Sequence, residues 1–177
     1  ARSATTRSKM TTTRHGSATF EFSDRTVTTQ RKFDAPMALV FDALTNPEHI
    51  RVWFPADDVS LHVCEIDLRV DGKYHYAWYA PGGKECSFRG TFLEIERPTR
   101  IVCTWLFEGW PDDEAVETTI LTEESGVTTM TDIMEFKAPE NLGDHFQQND
   151  GAQASWDKLD DLLGDLQARQ GDLESSS

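Results

Sequence analysis

The sequence predicts an α+β fold in which an antiparallel sheet packs against a long C-terminal helix. Three observations predict it: alternating apolar residues over strand-length segments, glycine-containing turns between these segments, and one long amphipathic stretch near the C-terminus. A chain of 177 residues with 38% hydrophobic content is long and apolar enough for one domain with a sizeable core. Runs of strands followed by a helix are typical of helices placed on one face of such a sheet.

The N-terminal region changes character near residue 20. Residues 1–19 are basic, rich in Ser and Thr, and almost without large apolar side chains. Such a composition predicts a disordered tail or an extension added to the domain. The single domain is expected to span residues 20–168, beginning with an extended stretch from Phe20 to Phe33.

Two short helices are predicted after this first strand. Pro36 stands at a favoured position in the first turn of a helix, and Asn46-Pro47 begins a second helix by the same capping logic. The adjacent aromatic side chains of Trp53-Phe54 are expected to pack the second helix against the sheet.

Six further strands are predicted from the spacing of apolar residues. Turns between them are expected at Val70-Asp71-Gly72, Pro81-Gly82-Gly83 and Glu124-Ser125-Gly126. The expected strands cover residues 59–69, 72–80, 85–96, 99–108, 114–123 and 126–136.

The last predicted element is an amphipathic helix over residues 144–169, followed by a frayed tail at 169–177. Its apolar stripe is formed by Gln148, Ala152, Trp156, Leu159, Leu163 and Leu166. The acidic residues between them are expected to form only a solvated face: Asp157, Asp160, Asp161 and Asp165.

The charge and the cysteines exclude several classes of function. A formal charge of −14 disfavours nucleic acid and anionic membrane surfaces as partners, and no apolar run approaches the roughly 18–20 residues of a membrane span. Cys64, Cys86 and Cys103 do not stand at zinc-site spacing, which indicates reduced thiols and a cytoplasmic location. The histidines show no metal-binding spacing, so we expect no metal and no cofactor.

Strand alternation predicts an unusually aromatic inner surface. Side chains at alternate positions share a face of the sheet, and here the shared faces carry Tyr74, Tyr76, Trp78, Phe88, Trp105 and Phe107. Two interpretations stay open. These rings form the walls of a pocket for a small apolar or aromatic molecule, or they fill a closed core.

Asp132 shares its predicted face with Met130 and Met134. A carboxyl group in an apolar cavity would have a raised pKa and would anchor a hydroxyl group or act as a base. The favoured alternative places Asp132 at the cavity mouth or, through a register error of one residue, in solvent.

The chain resembles the SRPBCC superfamily, which is START-like, and within it the bacterial domains similar to the activator of the heat-shock-90 ATPase. The resemblance implies a helix-grip fold: a curved antiparallel sheet of about six or seven strands wrapped around a long C-terminal helix, with a cavity between them. The residues that carry it are Asp34-Ala35-Pro36, Asn46-Pro47-Glu48-His49, Trp53-Phe54, Cys64-Glu65-Ile66-Asp67-Leu68-Arg69, Asp71-Gly72-Lys73-Tyr74, Arg89 to Ile95, Thr104-Trp105 and Glu117-Thr118-Thr119.

The favoured function is the binding of a small hydrophobic molecule by a non-catalytic or weakly catalytic protein. One alternative is a regulator of a heat-shock-90-type chaperone, and another is an enzyme of the aromatase/cyclase type; a second copy of the chain is a further alternative partner. The predicted ligand-binding residues are Trp53, Tyr74, Tyr76, Trp78, Phe88, Trp105, Phe107, Met130, Asp132, Met134 and Trp156.

Overall fold

The structure is a computed structural model that describes residues 12–15, 18–23, 25–55, 58–109, 111–112, 114–137 and 151–175. The helices of these residues are α1 (Met37–Thr45), α2 (Pro47–Trp53) and α3 (Gly151–Ser175). Their strands are β1 (Thr12–His15), β2 (Ala18–Phe22), β3 (Thr26–Phe33), β4 (Leu61–Ile66), β5 (Lys73–Tyr79), β6 (Glu85–Glu96), β7 (Arg100–Phe107), β8 (Ala115–Glu124) and β9 (Val127–Phe136).

All the strands of the described residues join one antiparallel sheet in the order β1-β2-β3-β9-β8-β7-β6-β5-β4. The strand before the short helices, β3, therefore pairs with the last strand, β9. Helices α1 and α2 carry the chain from β3 to the far edge, where β4 lies. The α+β helix-grip fold expected from the sequence is confirmed, with α1, α2 and α3 packed on the inner face of the sheet.

The N-terminal part of the sheet is larger than the sequence predicted. The described residues hold nine strands instead of six or seven, partly because the expected extended stretch from Phe20 to Phe33 begins earlier and folds into the hairpin of β2 and β3. Strand β1 and the first residues of β2 lie within residues 1–19, which were expected to be disordered. Ala18 is fully buried, and the free edge of β2 offers β1 backbone partners.

The C-terminal helix also differs from its prediction. Residues 144–150 lie outside the described residues, as does the side chain of Ala152, and α3 begins at Gly151. The helix then continues to Ser175, through most of the segment at 169–177 that was expected to form a frayed tail. Residues 168–175 are exposed, and helix formers such as Gln, Ala and Arg predominate at the start of this extension.

The turn between β8 and β9 sets the register of the two strands that carry the site. Ser125 and Gly126 both have positive φ angles, 52° and 79°, as a two-residue hairpin turn requires. Glu124 consequently pairs with Val127, and all later pairs of β8 and β9 follow by counting outward from the turn.

The main hydrophobic core lies between the three helices and the sheet. Phe33 and Val40 are fully buried within it, and Leu159 and Leu163 contribute the apolar face of α3. No helix of the described residues is both long and apolar enough to cross a membrane.

An ion pair network ties α3 to the sheet. Arg31 on β3 is 3% exposed, and its Nη1 donates to Asp157 Oδ1 at 2.9 Å while its Nη2 contacts Asp160 Oδ2. Asp157 and Asp160 were expected to be only part of a solvated face, and that expectation is wrong. Asp161 and Asp165 are exposed, as expected.

We predict an asymmetric cost for breaking this network. Replacing both acids (Asp157→Asn with Asp160→Asn) leaves the buried guanidinium of Arg31 without a counter-charge, and should lower the free energy of unfolding by about 3–5 kcal/mol. Arg31→Met removes the buried charge itself and should cost clearly less, because the two acids stay partly exposed to water. Urea unfolding followed by circular dichroism measures both values.

The double variant Asp161→Asn with Asp165→Asn is the matched control for this experiment. It makes the same change of charge on the same helix at exposed positions, and should change stability by less than about 0.5 kcal/mol. An equal loss in all three variants would show that the Arg31 network does not hold α3 to the sheet.

Candidate functional site

A cavity of about 560 Å³ lies between the inner face of the sheet and helices α2 and α3. All eleven residues that the sequence predicted for ligand binding line it, from Trp53 on α2 to Trp156 on α3. The side chains that strand alternation predicted to face inward from β5, β7 and β9 therefore do face inward in the structure. Binding of a ligand by these residues stays a prediction.

Phe88 on β6 is the centre of the aromatic wall. Its ring centroid lies 4.9 Å from that of Phe107, 5.1 Å from that of Trp105 and 5.4 Å from that of Trp78. Phe54, which follows α2, meets Phe88 edge-on at 5.6 Å. Rings in such mutual contact have few alternative rotamers, so the wall is largely rigid before any ligand arrives.

The helical side of the cavity is formed by two stacked tryptophans. The rings of Trp53 and Trp156 are 5.5 Å apart with an angle of 20° between their planes. Trp53 Nε1 donates to the carbonyl oxygen of Ala43 at 2.9 Å, which fixes the ring against α1. The predicted packing role of Trp53 is thus combined with a position on the cavity wall.

Tyr74 and Tyr76 bring hydroxyl groups to the cavity from β5. The Tyr74 hydroxyl donates to the carbonyl oxygen of Thr104 at 2.9 Å, across Gly90. A Cβ atom at Gly90 would lie 1.9 Å from that oxygen and 2.5 Å from the Tyr74 ring, so this crossing requires glycine. The Tyr76 hydroxyl, by contrast, has no hydrogen-bond partner among the described residues.

Two carboxyl groups face the same cavity from neighbouring strands. Asp132 on β9 is 6% exposed and stands opposite Thr119 on β8, while Glu117 stands opposite Met134 and Cys103. The expectation that a register error leaves Asp132 in solvent is therefore wrong. The two-residue turn leaves no register error that would move its side chain to the outer face.

Hydrogen bonds connect the two carboxyl groups to each other and to the strands beside them. Thr119 Oγ1 donates to Asp132 Oδ1 at 3.0 Å, and Cys103 Sγ donates to Glu117 Oε2 at 3.6 Å. The carboxyl groups of Asp132 and Glu117 are also close enough for a protonated Asp132 to donate to Glu117, a contact that affects the pKa of both groups.

The electrostatics of this pair favour one shared proton. Burial raises the pKa of Asp132 well above its usual value, and the charge of Glu117 raises it further. Burial also raises the pKa of Glu117, although hydrogen bonds from Cys103 and Asp132 oppose this shift. Burial likewise raises the pKa of the Cys103 thiol and of the Tyr74 and Tyr76 hydroxyls, which keeps these groups neutral.

No cationic side chain of the described residues lines the cavity. The one buried cation of the described residues, Arg31, is engaged by Asp157 and Asp160. Within the described part of the chain, no three His, Cys, Asp or Glu side chains come together as metal ligands would. The negative charge of the carboxyl pair is therefore not neutralised by the described protein groups.

Glu117 is the functional candidate that sequence reasoning missed. No inward face was predicted for the strand near 114–123, so Glu117 entered only as part of the resemblance. The signal was present in Ser125-Gly126, because counting outward from a two-residue turn pairs Asp132 with Thr119 and puts Glu117 on the same face.

Comparison with known proteins agrees with this architecture. Residues 34–164 match the family described as "Activator of Hsp90 ATPase homolog 1-like protein". A structure from Rhodobacter sphaeroides, 21% identical, superposes with a TM-score of 0.74 over 81% of this chain and 95% of that chain. A structure from Chromobacterium violaceum, 27% identical, has a TM-score of 0.69 over 78% and 96%.

A solution structure from Staphylococcus epidermidis is similar as well, with 23% identity and a TM-score of 0.73 over 82% of this chain and 93% of that chain. No curated protein sequence matches the chain significantly. At these identities the solved structures support the fold alone, and the chemistry of the cavity depends on its own side chains.

We predict that Asp132→Asn makes the protein more stable at neutral and alkaline pH than the parent protein. A carboxyl whose folded-state pKa is raised contributes stability below its unfolded pKa, near 4, and this stability is lost as pH rises through the folded pKa. Asn keeps the donor to Glu117 and the acceptor for Thr119 but cannot ionise, so it avoids that loss.

The expected gain is on the order of 1–3 kcal/mol at about pH 8, shrinking towards zero near about pH 4. Urea unfolding across this pH range measures it. Glu135→Asn, on the exposed face of β9, is the control and should show no such trend. A constant difference at all pH values would contradict the shared-proton description.

Proposed function

The chain belongs to the family of Activator of Hsp90 ATPase homolog 1-like proteins, and from its cavity we propose that it binds a small hydrophobic or aromatic molecule between sheet and C-terminal helix. The observation that carries the proposal is the aromatic-walled cavity of about 560 Å³. Ligand sites in proteins typically have such volumes, apolar walls and a few polar groups.

The energetics support binding in a preformed site. A ligand that replaces water along the Trp78, Phe88 and Trp105 walls gains about 25 cal/mol per Å² of apolar surface removed from water. Because the ring contacts already restrict these side chains, little conformational entropy is lost when the ligand enters. Polar selectivity then rests on the few groups that project between the rings.

A thermal-shift screen of the full chain tests this proposal directly. The panel contains aromatic, fatty and isoprenoid small molecules. A ligand at one hundred times its dissociation constant should add about 2.7 kcal/mol of stability, or a shift of roughly 5–10 °C for a chain of this size. A saturable shift confined to one chemical class supports the proposal.

We predict that Met134→Trp reduces this shift to about half or less. Met134 is buried on the cavity wall, and the larger indole would occupy space that the ligand needs. The dissociation constant of a ligand from the screen, measured by calorimetry, should rise at least about tenfold, which corresponds to about 1.4 kcal/mol.

Glu135→Trp is the matched control, because it places the same side chain on the neighbouring exposed position of β9. It should bind the ligand like the parent protein. If both variants bind equally well, the ligand occupies another surface. If no panel molecule binds, a protein partner becomes the favoured alternative. It is tested by measuring whether the chain changes the turnover of a heat-shock-90 ATPase.

The carboxyl pair favours one second candidate, an enzyme of the aromatase/cyclase type. The raised pKa values of Asp132 and Glu117 favour a proton held by the pair in an apolar site, as a general acid and base would require. The test is turnover of a bound polyketide-like aromatic precursor, which Asp132→Asn should abolish without changing the dissociation constant. Turnover that survives this variant would remove the pair from any catalytic role.

A further inference from the structure

The cavity contains an uncompensated acidic centre among aromatic rings. Glu117 and Asp132 face it from β8 and β9, whereas Trp78, Phe88 and Trp105 form the wall beside them. No Lys, Arg or His of the described residues lines this space. A pair of acids in a water-poor site without a counter-charge is unfavourable unless a proton or another cation accompanies it.

Tyr76 brings a further polar group to the same space. Its side chain is half-buried and lines the cavity, and no described residue is the hydrogen-bond partner of its hydroxyl. Burial raises the pKa of Tyr76, and the charges of Cys64, Cys103 and Glu117 raise it further, so the group stays a neutral donor and acceptor. A ligand in the cavity can therefore use this hydroxyl as well as the two carboxyl groups.

Resting on the proposed function, we propose that the ligand is a hydrophobic amine whose ammonium group binds the Glu117–Asp132 pair. Its apolar part lies against Trp78, Phe88 and Trp105, and the Tyr76 hydroxyl accepts or donates a further hydrogen bond. The ammonium group supplies up to three donors, for which the two carboxyl groups offer the acceptors.

The aromatic wall suits a cation better than it suits an anion. The faces of Trp, Tyr and Phe rings carry partial negative charge and attract an ammonium group within about 6 Å. A carboxylate or phosphate on the ligand would instead meet the negative charge of Glu117. A neutral ligand of the same shape gains the apolar contacts but leaves the acidic centre without a counter-charge.

Binding of the amine should release the shared proton. Before binding, the two carboxyl groups hold one proton between them; with the ammonium group in place both ionise, and that proton passes to the solvent. Affinity should therefore fall as pH is lowered, because protons compete for the pair. The other titratable groups that face the pair, from β7 and β5, are neutral: Cys103, Tyr74 and Tyr76.

Three naphthalene probes separate this inference from the proposed function. They carry an aminomethyl, a hydroxymethyl or a carboxylate group at the same ring position, and calorimetry of the full chain gives each dissociation constant. The amine should bind at least about tenfold more tightly than the alcohol, and the carboxylate should bind most weakly. Titration in buffers of different ionisation enthalpy should show release of about one proton per bound amine.

Variants locate the effect at the carboxyl pair. Glu117→Gln should weaken the amine at least about tenfold and leave the alcohol within about twofold, and Asp132→Asn should abolish proton release. Glu124→Gln and Glu135→Gln remove the same charge from exposed positions of β8 and β9. These controls should leave the amine unchanged, which separates the pair from the general attraction of cations to a chain of charge −14.

The outcomes are distinguishable. If all three probes fail to bind, the proposed function fails for aromatic ligands and the inference fails with it. If the alcohol binds as tightly as the amine, or the carboxylate binds best, the cavity is a ligand site but the amine inference is overturned. If all four variants weaken the amine equally, the acidic surface and not the pair attracts it, and the inference is again overturned.

Discussion

The attachment of α3 to the sheet is the interaction on which the cavity depends. Leu159 and Leu163 bury the apolar face of the helix, and Arg31 binds it from β3 through two aspartates on the adjoining turns. The helix residues just before this anchored segment, Ser155 and Trp156, border the cavity instead. Along the anchored segment of α3, the helix therefore packs directly on the sheet. Along the preceding segment, a ligand-sized cavity separates the helix from the sheet.

The protein contains acidic side chains in two opposite settings. The acids that bind Arg31 keep part of their surface in water and neutralise a buried cation, so they serve the packing of the helix. Glu117 and Asp132 have no such cation, and their hydrogen bonds from Cys103 and Thr119 replace only part of the lost hydration. A proton shared between the two carboxyl groups lowers that cost within the protein, and a cationic ligand would lower it further.

The fold consequently indicates the family of the chain, whereas the side chains of the cavity bear on its ligand. The match over residues 34–164 and the similar solved structures concern the arrangement of sheet and helices, which many unrelated activities share. For the proposed ligand site, selectivity would rest on the polar side chains between the rings, among them Glu117, Asp132 and Tyr76. Under the amine proposal, the ligand's charge would be the property that these side chains distinguish.

The sequence by itself determined the α+β class, the strands from β4 to β9 within a few residues, and the faces of β5, β7 and β9, because strand alternation and turn chemistry are local properties. It did not determine the ends of the fold, since pairing of β1 with β2 and extension of α3 to Ser175 depend on neighbours and on weak propensities. Only the tertiary structure decided that Asp157 and Asp160 bind Arg31 and that Glu117 lies beside Asp132. These contacts depend on how elements that are distant in sequence pack together. A local sequence pattern does not show which charged residue lies on the other side of such an interface.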